Sequence, residues 1–184
     1  MARLGHTRDV RLSDGRAALL GDARPRDAKA IARLLDAIAA EPRSGLLMEP
    51  GQRTAGDWRR SVADTLDDPG GLFLVADVQG ELAGDLGLSR ARNPASRHVC
   101  TLGMSVAAAA RGVGLGGALL ELALEWAAAV GYAKATLSVL GHNGAAVRFY
   151  ERHGFVHEGR RVAQFARGGH CMDEVLMARP LTTP

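Results

Sequence analysis

Apolar positions in the chain switch several times between helical spacing and strand-like runs. Pro25-Arg26-Asp27 precedes Ala28, Ile31, Leu34, Leu35 and Ile38, which share one helical face,. Residues 41–56 hold Pro42, Gly45, Pro50, Gly51 and Gly56 and read as an irregular connection,. A second helix is expected around 57–66, stopped by Asp67-Asp68-Pro69-Gly70-Gly71,. Strands follow over 72–78 and 82–88 with a hairpin turn at Gln79-Gly80, and 90–97, with Asn93-Pro94, makes the next turn,. Upstream, 15–20 reads as a short strand pairing with 9–12 through Ser13-Asp14-Gly15.

The second half is more regular. Leu115, Ala118, Leu119, Leu122, Trp126 and Val130 define one face of a helix, with Glu121 and Glu125 opposite,. The strand before it, 98–106, and the strand after it, 133–140, are then parallel, joined by a right-handed crossover. Runs at 156–165 and 171–177 meet across Arg167-Gly168-Gly169 as an antiparallel hairpin,. The expected fold is α/β of the α+β type, a mixed sheet with helices on both faces. At 184 residues and 47% hydrophobic content, one domain over 1–184 with one sizeable core is expected,.

Composition narrows the partners. Net charge is +3, but the arginines are scattered and no basic cluster interleaves with aromatics, so no nucleic-acid surface is expected,. Cys100 and Cys171 lie on different expected strands and read as buried small hydrophobes,. Six histidines and two cysteines show no metal-ligand spacing, so no metal is expected,. No apolar run approaches a membrane span and the start lacks a signal-peptide core, so a cytoplasmic location with no membrane partner is expected,.

Chemistry concentrates at Arg111-Gly112-Val113-Gly114-Leu115-Gly116-Gly117, between a strand and a helix. Glycines let backbone approach a phosphate and adopt unusual angles, the helix offers unpaired N–H groups and a positive dipole end, and Arg111 adds a charged fork. A phosphate loop of the Gly-Lys-Ser type is excluded, since Lys29 and Lys134 are the only lysines,. Gly112-x-Gly114-x-x-Gly117 satisfies the dinucleotide fingerprint, yet no acidic residue lies between Glu125 and Glu151 to hold a ribose,. A nicotinamide or flavin enzyme is therefore disfavoured.

Arg111-x-x-Gly114-x-Gly116 resembles the acyl-CoA pyrophosphate loop of the GNAT superfamily of N-acetyltransferases. The preceding 98–106 is similar to the family's fourth strand. His142-Asn143-Gly144-Ala145-Ala146-Val147-Arg148-Phe149-Tyr150-Glu151-Arg152-His153-Gly154-Phe155 is similar to its second hallmark, in which Asn, Ala, an aromatic, Tyr and Gly-Phe recur. The resemblance covers 70–180 well and the first 70 residues loosely. It implies a mostly antiparallel sheet of 6–7 strands, splayed parallel fourth and fifth strands, and an acyl-CoA-binding core at about 98–155.

The resemblance further implies acetyl-CoA as co-substrate and an amine of a small molecule or peptide as acceptor, joined by direct transfer in a ternary complex. The cofactor residues it implies are Met104 and Val106 through their backbone, then Arg111, Gly112, Val113, Gly114, Gly116, Gly117, Asn143 and Tyr150. Tyr150 corresponds to the tyrosine that protonates the CoA sulfur; Asn143 also reads as a helix N-cap. No motif marks the base. Glu49, Asp85, His98, Asp173 and Glu174 are candidates, with Glu49 favoured as base or substrate contact because of its loop. A homodimer is plausible on family grounds. The alternative is a GNAT-like module that senses acyl-CoA without catalysing transfer.

Overall fold

The computed structural model describes residues 6–91 and 93–181. Two antiparallel strands, β1 (Thr7–Arg11) and β2 (Ala17–Asp22), lead into helices α1 (Ala28–Ala39) and α2 (Ala55–Asp67). The hairpin β3 (Leu72–Val78) and β4 (Glu81–Arg90) precedes β5 (Val99–Val106), α3 (Leu115–Ala129), β6 (Lys134–Leu140) and α4 (Gly144–Arg152). A closing hairpin pairs β7 (Val156–Arg167) with β8 (His170–Pro180). The strands run β1-β2-β3-β4-β5-β6-β8-β7; β5 with β6 is parallel, while β1–β2, β2–β3, β3–β4, β6–β8 and β7–β8 are antiparallel. The count is eight among the described residues, above the six or seven expected, because the N-terminal hairpin joins the same sheet.

The chain divides into two compact units, Met1–Ser89 with Met104–Glu125 and Arg90–Gly103 with Trp126–Pro184. In the first, both faces of the β3–β4 hairpin are covered. Phe73 and Val75 point toward α1 and α2, packing with Ile31, Leu35, Val62, Trp58 and Leu66. The connection at 41–54 is irregular as its glycines and prolines require, yet Leu46 and Met48 anchor it to that cluster. Thr54 and Asp57 cap α2 reciprocally,. On the opposite face, Gly84 lies under α3: a Cβ there would meet Leu119 Cδ1 at 3.0 Å and the Ser105 carbonyl oxygen at 3.3 Å.

In the second unit, β6 is central, paired with β5 on one side and β8 on the other. The parallel register covers three positions, from Val99↔Lys134 to Thr101↔Thr136, while β6 pairs with β8 along its whole length. Thr136 Oγ1 donates to the Cys100 carbonyl and meets Thr101 Oγ1, each at 3.0 Å, at the last paired position.

Three expectations are corrected. Val130 is exposed and follows the last residue of α3, and Ala118 and Trp126 are only partly buried, whereas Leu120, Ala123, Leu124 and Ala127 are buried. The helix is apolar around most of its circumference, so one stripe could not identify its core face. Cys171 is exposed rather than buried, because it stands beside the Gly168-Gly169 turn at the tip of the last hairpin; Cys100 is buried, and both thiols are free. The turn expected over 90–97 begins one residue later, since β4 runs through Arg90; Arg92 in that turn and the chain start at residues 1–5 lie outside the described residues. No helix among the described residues is long and apolar enough to cross a membrane.

The contact at Gly84 gives a direct test. Gly84→Ala is expected to lower unfolding free energy by about 1–3 kcal/mol through overpacking, read from the urea midpoint. Gly87→Ala, whose methyl would meet nothing within 4 Å, is the control expected to leave the midpoint nearly unchanged.

Candidate functional site

The glycine loop is built in the first unit by backbone geometry. Gly112 and Gly114 take φ of 75° and 96°, a region closed to most side chains,. A Cβ at either would meet nothing within 4 Å, so the backbone angle and not crowding requires glycine. The Ala118 amide donates to the Gly114 carbonyl at 3.1 Å, which fixes the start of α3 and places Gly116 and Gly117 in its first turn. The amides of that turn have no acceptor within the helix, and its dipole favours an anion there.

The N-terminal hairpin braces this loop. Ser13 N donates to the Val113 carbonyl at 3.1 Å, and Arg16 Nη2 to the Ala109 carbonyl at 2.8 Å. Arg111 is engaged twice: Nε donates to the Val106 carbonyl at 2.8 Å, and the two terminal nitrogens form a fork on Glu41 at 2.8 and 2.7 Å. The sequence pointed to Arg111 but not to Glu41, which lies 70 residues away on the turn after α1. Nothing local could reveal that partner. Met104 and Val106 are partly buried on the last turnless stretch before the loop, as the end of β5.

Among the five candidate bases, the structure separates Asp85. It is 7% exposed. It accepts a hydrogen bond from Ser105, and burial, its largest influence, pushes the carboxyl up to about 7 against the smaller opposing effect of that bond. Its Oδ1 has no hydrogen-bond partner. Trp58 Nε1 is likewise buried without a partner, and Trp58 packs on Phe73 with ring centroids 6.4 Å apart. Arg53 lies over the indole at 3.7 Å. Glu49 is exposed on the 41–54 connection.

In the second unit, Asn143 caps α4, its side chain accepting from Ala146 N at 3.1 Å. Tyr150, 6% exposed, packs edge-on against Phe149 and Phe155 at centroid distances of 5.1 and 5.5 Å. Asp173 accepts from Arg160 at 2.7 Å and from Ala163 N at 2.8 Å, which holds its carboxyl below the usual range. Glu174 accepts from Arg161 at 2.8 Å. Both acids are occupied in holding the β7–β8 hairpin. His98 is exposed in the turn before β5. Among the described residues no three His, Cys, Asp or Glu side chains gather as a metal set would require.

With the loop, its helix and the parallel pair in view, comparison with known proteins assigns the class. Residues 32–155 match the model of the acetyltransferase (GNAT) family. The chain is 30% identical to an uncharacterized N-acetyltransferase of Escherichia coli, YjgM, over 84% of this chain and 90% of that one. It is 29% identical to the L-amino acid N-acetyltransferase AaaT of the same organism, over 66% of this chain and 74% of that one. A GNAT-family acetyltransferase structure from Streptococcus pneumoniae superposes with a TM-score of 0.82 at 26% identity, covering 90% of this chain and 99% of that one. The chain belongs to the GNAT acetyltransferase family and is an acetyl-CoA-dependent acyltransferase.

The Arg111–Glu41 fork sets a prediction. A carboxylate on the guanidinium competes with a phosphate for the same donors, so Glu41→Gln should tighten acetyl-CoA about two- to fivefold at low salt, fading as salt rises. Arg111→Ala should weaken it about tenfold or more. Calorimetric titration of both variants reads the two effects.

Proposed function

We propose that the protein transfers the acetyl group of acetyl-CoA to the amine of a small molecule or peptide, directly, within a ternary complex. The observation that carries this reading is the left-handed backbone at Gly112 and Gly114 leading into the first turn of α3, which suits a pyrophosphate bound by backbone amides. The assigned donor residues are Arg111, Gly112, Val113, Gly114, Gly116 and Gly117 on the pyrophosphate. The backbone of Met104 and Val106, with Asn143, takes the pantetheine arm, and Glu49 is assigned to contact with the acceptor.

Transfer joins the amine nitrogen to the thioester carbonyl carbon and breaks the C–S bond, so the departing thiolate needs a proton. Tyr150 is assigned that role. A phenol of ordinary pKa near 10 is protonated at neutral pH and can donate to a developing thiolate. Direct transfer rather than a cysteine relay is supported by Cys100, whose thiol is buried and pushed up to about 11. Such a thiol is a poor nucleophile at neutral pH. The similarity to an L-amino acid N-acetyltransferase makes α-amino acids the first acceptors to try.

Thiol release from acetyl-CoA over amino acids, polyamines, aminoglycosides and peptide N-termini is expected to find at least one acceptor. Tyr150→Phe should then lower kcat by about 10²-fold while the dissociation constant of acetyl-CoA stays within twofold. Retention of full kcat at every pH would remove Tyr150 from the chemistry. Absence of turnover with every amine, alongside tight CoA binding, would favour a sensing module instead.

A further inference from the structure

Acyl transfer needs a neutral amine, and an alkyl amine of pKa about 10.4 is almost wholly protonated at pH 7. A group must therefore take that first proton. Three observations in the first unit converge on one side chain. Asp85 pairs in register with Val75, and Phe73 with Gly87, so Asp85 and Gly87 face α1 and α2 along with Phe73 and Val75,. Second, Asp85 shares that face with the apolar cluster around Phe73, Val62 and Trp58, and Oδ1 of Asp85 and Nε1 of Trp58 are buried with no protein partner. Third, Gly87 leaves the floor of the face open, since a Cβ there meets nothing within 4 Å.

An unpaired buried carboxylate oxygen costs folding free energy that an apolar residue at the same position would not. Its presence is explained when a ligand supplies the missing partner. We propose that Asp85 is the catalytic residue that binds the ammonium of the acceptor through Oδ1 and takes its proton before attack. The proposal rests on the transferase reading above. In the step, R–NH3+ and the Asp85 carboxylate become R–NH2 and the carboxylic acid, and the freed lone pair attacks the thioester carbon. The second amine proton leaves as the C–S bond breaks, the thiolate is protonated, and Asp85 returns its proton to solvent. Ser105 is the positioning residue that holds the other side of the carboxyl.

Burial and the Ser105 hydrogen bond set the protonation of Asp85; β5 offers Ser105, β3 offers Val75, and on the α1–α2 side Arg53 lies over the Trp58 ring. The acid limb of kcat/KM in the wild type is therefore expected near pH 7, where Asp85 changes protonation. The test compares wild type, Asp85→Asn and Ser105→Ala by thiol release from saturating acetyl-CoA, across pH. The acceptors are the best amine of the panel, then ethylamine and trifluoroethylamine, the latter already neutral at pH 7.

Asp85→Asn is expected to lose about 10²-fold or more with the basic amines and only a few-fold with trifluoroethylamine, with its limb replaced by a rise that follows the free-amine fraction. Ser105→Ala removes a bond that favours the ionised carboxyl, so its limb should move to higher pH; this variant serves if Asp85→Asn does not fold. Equal losses with basic and weakly basic amines, or an unmoved limb in both variants, would overturn the role of Asp85 while leaving transfer intact. A wild type that turns over no amine would instead overturn the transferase reading, and Asp85's role with it.

Discussion

The close approach of α3 to β4 at Gly84 governs the geometry of the first unit. With Leu119 Cδ1 3.0 Å and the Ser105 carbonyl 3.3 Å from where a Cβ would stand, a side chain at 84 would crowd the α3 leucine and the β5 backbone at once,. The buried Leu115, Leu119 and Leu120 hold α3 in place. The chain passes from the end of β5 at Val106 to the start of α3 at Leu115 through one connecting turn. Left-handed backbone at Gly112 and Gly114 makes that turn possible. Packing on one face and left-handed backbone on the other side of the turn meet at the start of α3, whose first-turn amides have no acceptor within the helix,.

Side chains then refine what the backbone has made. The fork between Arg111 and Glu41, partly exposed at both ends, contributes little to stability because solvent screens it,. Its effect is geometric: with Nε on the Val106 carbonyl, it ties the end of β5 to the turn after α1. The bonds from Ser13 and Arg16 act on the same loop from the other side of the chain. These contacts bear on carbonyl oxygens or on the guanidinium and engage none of the loop's N–H groups.

What could be read from the sequence was local. The glycines, the helix after them, the turn at Gln79-Gly80 and the cap at Asn143 depend on neighbours within a few residues, and each stands where periodicity and turn chemistry put it,. Long-range partners left no local trace. Glu41 could not be matched to Arg111, nor Asp173 and Glu174 to the arginines of β7, until the register of the sheet was known. The core face of α3 was obscured for a different reason. A helix apolar nearly all round carries no phase information.

Asp85 stands on a strand whose two faces are both covered. In β4, Leu86 and Leu88 alternate with Asp85 and Gly87. The face that carries Asp85 is covered by α1 and α2, so the carboxyl is buried and its protonated form favoured. The consequence for stability has a definite sign. A carboxyl raised from 3.8 to about 7 keeps its proton in the fold over a pH range where the unfolded chain has lost it. Its contribution is therefore full below about pH 4 and is lost as pH rises toward 7. At neutral pH the ionised group works against the fold. The burial that favours the protonated carboxyl thus sets a pH-dependent cost at this one position of β4,.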